Sequence, residues 1–115
     1  MAEEKDPTGT NSVSISGRLD EFRRRIDDLD EQIVRLLNQR ANCANKIGEL
    51  KDSVGMDTYQ PNREKDVLAH VQIVNSGPLA GDAIERVFER IIDESRRLEK
   101  LTSIGQSDRP KSSGD

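Results

Sequence analysis

Aromatic side chains are almost missing from this chain of 115 residues, which holds no Trp, one Tyr and two Phe. Little surface is therefore available for stacking bases, and a net charge of −4 offers no cationic track for a phosphate backbone. Nucleic acid is excluded as a partner on both counts. A single cysteine, Cys43, rules out an internal disulfide framework, and with one histidine, His70, it leaves no cluster of metal ligands. No stretch approaches the roughly 20 apolar residues that span a bilayer. Met1 to Gly17 also lacks the basic start and apolar run of a signal peptide. The expectation is a cytoplasmic protein with no metal and no membrane partner.

Charge and helical periodicity are what the chain does have. Charged residues make up 35% and hydrophobic residues 32%, a balance that suits solvated helices better than a thick core. From Leu19 to Val54 apolar residues recur at steps of three and four: Leu19, Phe22, Ile26, Leu29, Ile33, Leu36, then Cys43, Ile47, Leu50 and Val54. This is the seam of one long amphipathic helix. At about 1.5 Å per residue it would reach roughly 54 Å, too long for a compact monomer of this size. On this seam Cys43 reads as a small core residue.

Ser14 or Ser16 is the expected cap of this helix, and Gly55 its expected stop. Opposite charges at Glu21 and Arg25, and at Glu31 and Arg35, are spaced to pair on its outer faces. A short second helix is expected from Pro61 and Asn62 to about Val74, and Asn75-Ser76-Gly77-Pro78 is a breaker. A third of medium length follows from Ala80–Asp82 to about Leu101. Residues 1–16 and 104–115 have the composition of disordered arms, flanking a helical domain over 17–103. The fold class is all-α with three helices, long, short and medium. Helices so unequal cannot cover each other's seams, so a second copy is expected in an intertwined homodimer.

Some charges do not fit a solvated face. Arg40 occupies a seam position where an aliphatic side chain belongs, and burying an unpaired guanidinium costs several kcal/mol. It needs an anion, either a glutamate of another helix or a ligand. Lys51 lies eleven residues on, within about 20° of the same face and roughly 16 Å along the axis. As a helix-end lysine it also complements the macrodipole. Arg63 opens the second helix against its dipole, beside Glu64. Ser95 interrupts the apolar face of the third helix with Glu99 one turn beyond, and each also fits an ordinary helix position. His70 reads as a surface residue. The set lacks a nucleophile–base pair, so its chemistry is that of binding a small polyanion and acting by positioning and electrostatics.

These residues sit in recognisable runs. Ile26-Asp27-Asp28-Leu29-Asp30, Leu36-Leu37-Asn38-Gln39-Arg40 and Ile47-Gly48-Glu49-Leu50-Lys51 resemble the first helix of the all-helical chorismate mutases. Gln60-Pro61-Asn62-Arg63-Glu64 is similar to that family's second-helix signature, and Gly77-Pro78-Leu79 with Phe88 to Ser95 to its third. The match runs from about Leu19 to Leu101. It implies a cofactor-free rearrangement of chorismate to prephenate, on the route to phenylalanine and tyrosine, in an intertwined dimer with two sites. By the same resemblance Arg40 and Arg63 grip the carboxylates of the substrate together with Arg23 of the other subunit. Lys51 then donates to the ether oxygen whose bond breaks, Glu64 holds the ring hydroxyl with help from backbone near Gln60, and Ser95 assists at a carboxylate.

Arg23 and Arg40 are about 25 Å apart along one helix and roughly 100° around it, so on a straight helix they could not close on one small dianion. Across a dimer they can. Two positions depart from many relatives: Glu99 stands where glutamine is common, opposite Lys51, and Gln60 where some have an acid. A glutamate donates a hydrogen bond only when protonated. Two other readings stay open: a lyase that removes pyruvate from isochorismate with the same arginines and lysine, and a non-catalytic helical dimerisation or regulatory module.

Overall fold

The computed structural model describes the backbone over residues 10–57 and 60–108, and side chains over 14–57 and 60–102. Three helices follow in order: α1 (Thr10–Ser53), α2 (Pro61–Val74) and α3 (Gly81–Asp108). No strand occurs among the described residues. Among the described residues no helix is long and apolar enough to cross a membrane. Two compact units divide the chain, Met1–Leu36 and Leu37–Asp115.

In the first unit α1 begins at Thr10, ahead of the expected caps, so Ser14 and Ser16 lie inside the helix. Serine is only mildly unfavourable in a helix interior, and two of them do not stop one whose apolar seam continues. Its seam residues Leu19, Phe22, Ile26, Leu29 and Ile33 are 47–54% exposed. The expected Glu21–Arg25 pair does not close: the Arg25 guanidinium instead lies over the Phe22 ring, 5.3 Å from its centroid.

The second unit contains the rest of α1 with α2 and α3. Gly55 ends α1 as expected, at φ +73°, a left-handed conformation that disfavours any side chain. The Met56 N–H donates to the Lys51 carbonyl at 2.8 Å and the Gly55 N–H to that of Asp52 at 3.2 Å, the paired bonds of a Schellman stop. Pro61 occupies the first turn of α2, where its missing N–H costs nothing. Between α2 and α3 the Asn75 side chain accepts from the Gly77 N–H at 3.0 Å and donates to the Leu79 carbonyl at 2.8 Å. Gln72 Nε2 donates to the Gly81 carbonyl at 2.6 Å, and a Cβ on Gly81 would stand 2.5 Å from Gln72 Oε1. A side chain at the start of α3 would therefore displace the end of the Gln72 side chain and its bond to the Gly81 carbonyl.

α2 and α3 pack on one another. Val71, on α2, is the one buried hydrophobic side chain among the described residues. Cys43 is exposed rather than core, because its part of the seam faces an open cavity and not a packed helix. His70 is exposed as expected. α3 continues past Leu101 to Asp108, since neither Gly105 nor the polar residues around it break a helix already under way. Of the arms expected over residues 1–16 and 104–115, residues 10–16 and 104–108 are helical instead, and the rest lies outside the described residues.

Candidate active site

A cavity of about 570 Å³ opens in the second unit between the later half of α1, the start of α2 and the middle of α3. α1 contributes Arg40, Cys43, Ala44, Ile47, Gly48 and Lys51, positions spaced three and four apart and hence on one face. The α2 side is its first turn: Gln60 at the cap position, then Arg63, Glu64 and Val67. α3 adds Ile92, Ser95, Arg96 and Glu99, again one face. The interior wall is thus partly aliphatic, with charged heads placed around it. Its size falls within the roughly 300–1,000 Å³ common for small-molecule sites.

Seven of the eight side chains expected at the site line this cavity: Arg40, Lys51, Gln60, Arg63, Glu64, Ser95 and Glu99. Arg23 is not among its lining residues and belongs to the other unit, where it is exposed. Arg40 and Lys51 are half-buried, and neither they nor Arg63 form a salt bridge among the described residues. Among the described residues Arg40 therefore has no glutamate partner. Arg96, Lys100 and the acids Glu49, Asp52, Glu64 and Glu99 also line the cavity, but among the described residues Arg40, Lys51 and Arg63 are bound to no carboxylate, which leaves them open to a small polyanion.

The acids differ in their surroundings. Burial pushes the Glu99 carboxyl above its ordinary value; the Lys51 and Arg96 charges pull the other way, and Asp52 adds to the rise. Glu99 closes on α1 at Gly48, where an added Cβ would lie 3.9 Å from Glu99 Cδ. Glu64 is instead held by charge, its Oε2 accepting from Arg96 Nη2 across the α2–α3 packing.

Arg96 is the site residue that sequence reasoning missed. It sits in the pair Arg96-Arg97 next to Ser95, where consecutive arginines read as a solvated face. Its signal was spacing: Ile92, Ser95, Arg96 and Glu99 fall at i, i+3, i+4 and i+7.

Against known protein families, residues 22–100 match the model of chorismate mutase type II. The chain belongs to that family. Relatives include a bifunctional chorismate mutase/prephenate dehydratase of Neisseria gonorrhoeae, 39% identical over 93 residues. That match covers 81% of this chain but 25% of the relative, so the chain spans about a quarter of such bifunctional proteins. A chorismate mutase of Methanocaldococcus jannaschii is 26% identical over 84 residues, 72% of this chain and 85% of that protein. Among solved structures, a chorismate mutase from Thermus thermophilus superposes with a TM-score of 0.70 at 32% identity, over 72% of this chain and 94% of that one. Membership places the three-helix architecture and the cavity in one context, since the matched residues include every lining side chain from Arg40 to Lys100.

Proposed function

We propose that this chain is a chorismate mutase, rearranging chorismate to prephenate in the supply of phenylalanine and tyrosine, with residues 17–103 as its catalytic domain in the cytoplasm. The observation that carries the reading is the convergence of Arg40, Lys51 and Arg63, none bound to a carboxylate among the described residues, on one cavity of about 570 Å³. The reaction is an intramolecular shift that needs no nucleophile, so the work falls to positioning and electrostatics. Arg40 and Arg63 hold the carboxylates and fold the substrate into its reactive conformer, with Ser95 assisting. Lys51 donates to the ether oxygen, where negative charge grows as the bond breaks, and protonated Glu99 is a second donor beside it. Glu64, with Gln60 nearby, takes the ring hydroxyl.

A homodimer completes the site in this reading. The exposed α1 seam, with Phe22, Ile26, Leu29 and Ile33 more than half uncovered, is what a second copy would bury. Arg23 then reaches the site of the partner and adds a third guanidinium to the substrate's carboxylates.

The test is an absorbance assay of chorismate loss by the wild type and Arg40→Ala, with the product identified. Prephenate from the wild type, strongly reduced in the variant, supports the reading. Salicylate plus pyruvate from isochorismate, without prephenate, would make the chain a lyase. Turnover of neither substrate would leave a non-catalytic dimerisation module.

A further inference from the structure

Arg96 has no part in the reaction as assigned above, yet it is the most firmly tied cation at the cavity. Its Nη2 donates to Glu64 Oε2, from α3 to α2 and thirty-two residues away in sequence. Its Nη1 donates to Asp93 Oδ1 at 3.2 Å, on its own helix. The guanidinium fork is therefore pinned between an acid behind it and an acid in the cavity wall. A planar fork suits that two-sided grip in a way an ammonium does not.

Such a grip does little for stability. The Arg96 side chain is 44% exposed and that of Glu64 31%, and ion pairs this wet contribute little to folding. What the pair does fix is geometry. A glutamate in the first turn of a helix has three side-chain torsions, and fixing them on binding costs conformational entropy. The bond to Arg96 removes that freedom beforehand. It occupies Oε2, and Oε1 accepts from no other described residue. A carboxylate has acceptor capacity on both oxygens, so one can be anchored while the other receives a hydroxyl.

We propose that Arg96 is a positioning residue: braced by Asp93, it anchors the Glu64 carboxylate through Oε2 and leaves Oε1 to accept the ring hydroxyl of the substrate. The inference rests on the reading of Glu64 as that hydroxyl's acceptor. Arg96 is bonded to Glu64, and in this proposal its influence passes through the acid. Loss of the anchor should raise KM, because the hydroxyl contact is made in the ground state, and lower kcat as far as the misplaced acid lets the substrate leave its reactive conformer.

The experiment is a double-mutant cycle on the full chain: Arg96→Met, Arg96→Lys, Glu64→Gln and the double variant Arg96→Met/Glu64→Gln. For each, kcat and KM for chorismate are measured, together with circular dichroism and melting temperature. Arg96→Met is expected to lower kcat/KM on the order of tenfold, less than the hundredfold a displaced positioning group can cost. Its melting temperature should stay close to that of the wild type. Arg96→Lys should recover part of the loss, keeping charge but not the fork. In the Glu64→Gln background, adding Arg96→Met should cost at most about twofold more, because the pair acts as one unit. Penalties that multiply in the double variant, or an Arg96→Met enzyme as active as wild type, overturn the proposal. Should Arg96→Met fail to fold, the cycle of Arg96→Lys with Glu64→Gln decides in the same way. A wild type without turnover overturns the underlying reading and this inference with it, whereas an active wild type with uncoupled variants overturns the inference alone.

Discussion

The Lys51 ammonium on α1 pulls the Glu99 carboxyl toward ionisation, and the burial of Glu99 on α3 outweighs that pull. Both residues line the same cavity, and only the protonated acid can donate a hydrogen bond beside the lysine. Activity is therefore expected to be higher on the acidic side and to fall as pH rises through the raised value of Glu99. Glu99→Gln, which donates at every pH, should flatten the profile. A pH–rate curve of the same shape in wild type and Glu99→Gln would refute the role.

The same shift carries a stability consequence with a defined sign. A carboxyl whose folded-state value is raised makes its contribution fully below the ordinary carboxylate value, and that contribution is lost as pH climbs through the raised one. Above that window the folded chain holds a partly buried charge it disfavours. Glu99→Gln should melt higher than wild type at neutral pH, with the gap closing as pH falls below the ordinary glutamate range. Melting curves at three or four pH values check the trend, and a gap that widened toward acid would contradict it.

Lys51→Ala should act on the chemical step. Its ammonium meets an ether oxygen that is neutral in the ground state and becomes negative as the bond breaks, so the interaction strengthens in the transition state. Loss of such a preorganised donor typically costs on the order of 10²–10³ in rate. Steady-state kinetics should show kcat falling by that amount with a much smaller change in KM. A loss carried mainly by KM would assign Lys51 to ground-state binding instead.

Gly55 gives a prediction about the fold. At φ +73° a side chain meets the left-handed penalty, about 1–2 kcal/mol for an L-residue. Gly55→Ala should destabilise by about 1 kcal/mol and Gly55→Asn by less, because asparagine tolerates this region. Urea unfolding measures both. Equal stability of Gly55→Ala and wild type would mean the Schellman stop can be rebuilt without glycine.

How much of this was legible in the sequence depended on whether the cause was local. Gly55 and Pro61 act through their own backbones, and both sit where sequence reading puts them. Arg40 and Lys51 reach one cavity because eleven residues is close to three helical turns, a matter of arithmetic once α1 is recognised. The start of α1 was not legible, because Ser14 and Ser16 can cap a helix or ride inside one, and only the chain before them decides. The exposure of Cys43 was missed because heptad spacing identifies a face to be covered without saying what covers it. Arg96 needed the packing of α3 on α2, which brings it to an acid thirty-two residues away.

The dimer and Arg23 yield to one mixing experiment. Arg23→Ala and Lys51→Ala each damage the proposed site, one from the partner's side and one from within. If Arg23 acts across the interface, a mixed dimer holds one site with both defects and one with neither. Random reassortment makes about half of the dimers mixed, each with one of its two sites intact, so about a quarter of wild-type activity should return. If Arg23 served its own chain's site, every site in a mixed dimer would carry one defect and nothing would return. The two inactive variants are unfolded together, refolded and assayed, with size exclusion to verify a dimer. Recovery well above the sum of the parents supports Arg23 acting in trans, and none would place its role, if any, within its own subunit.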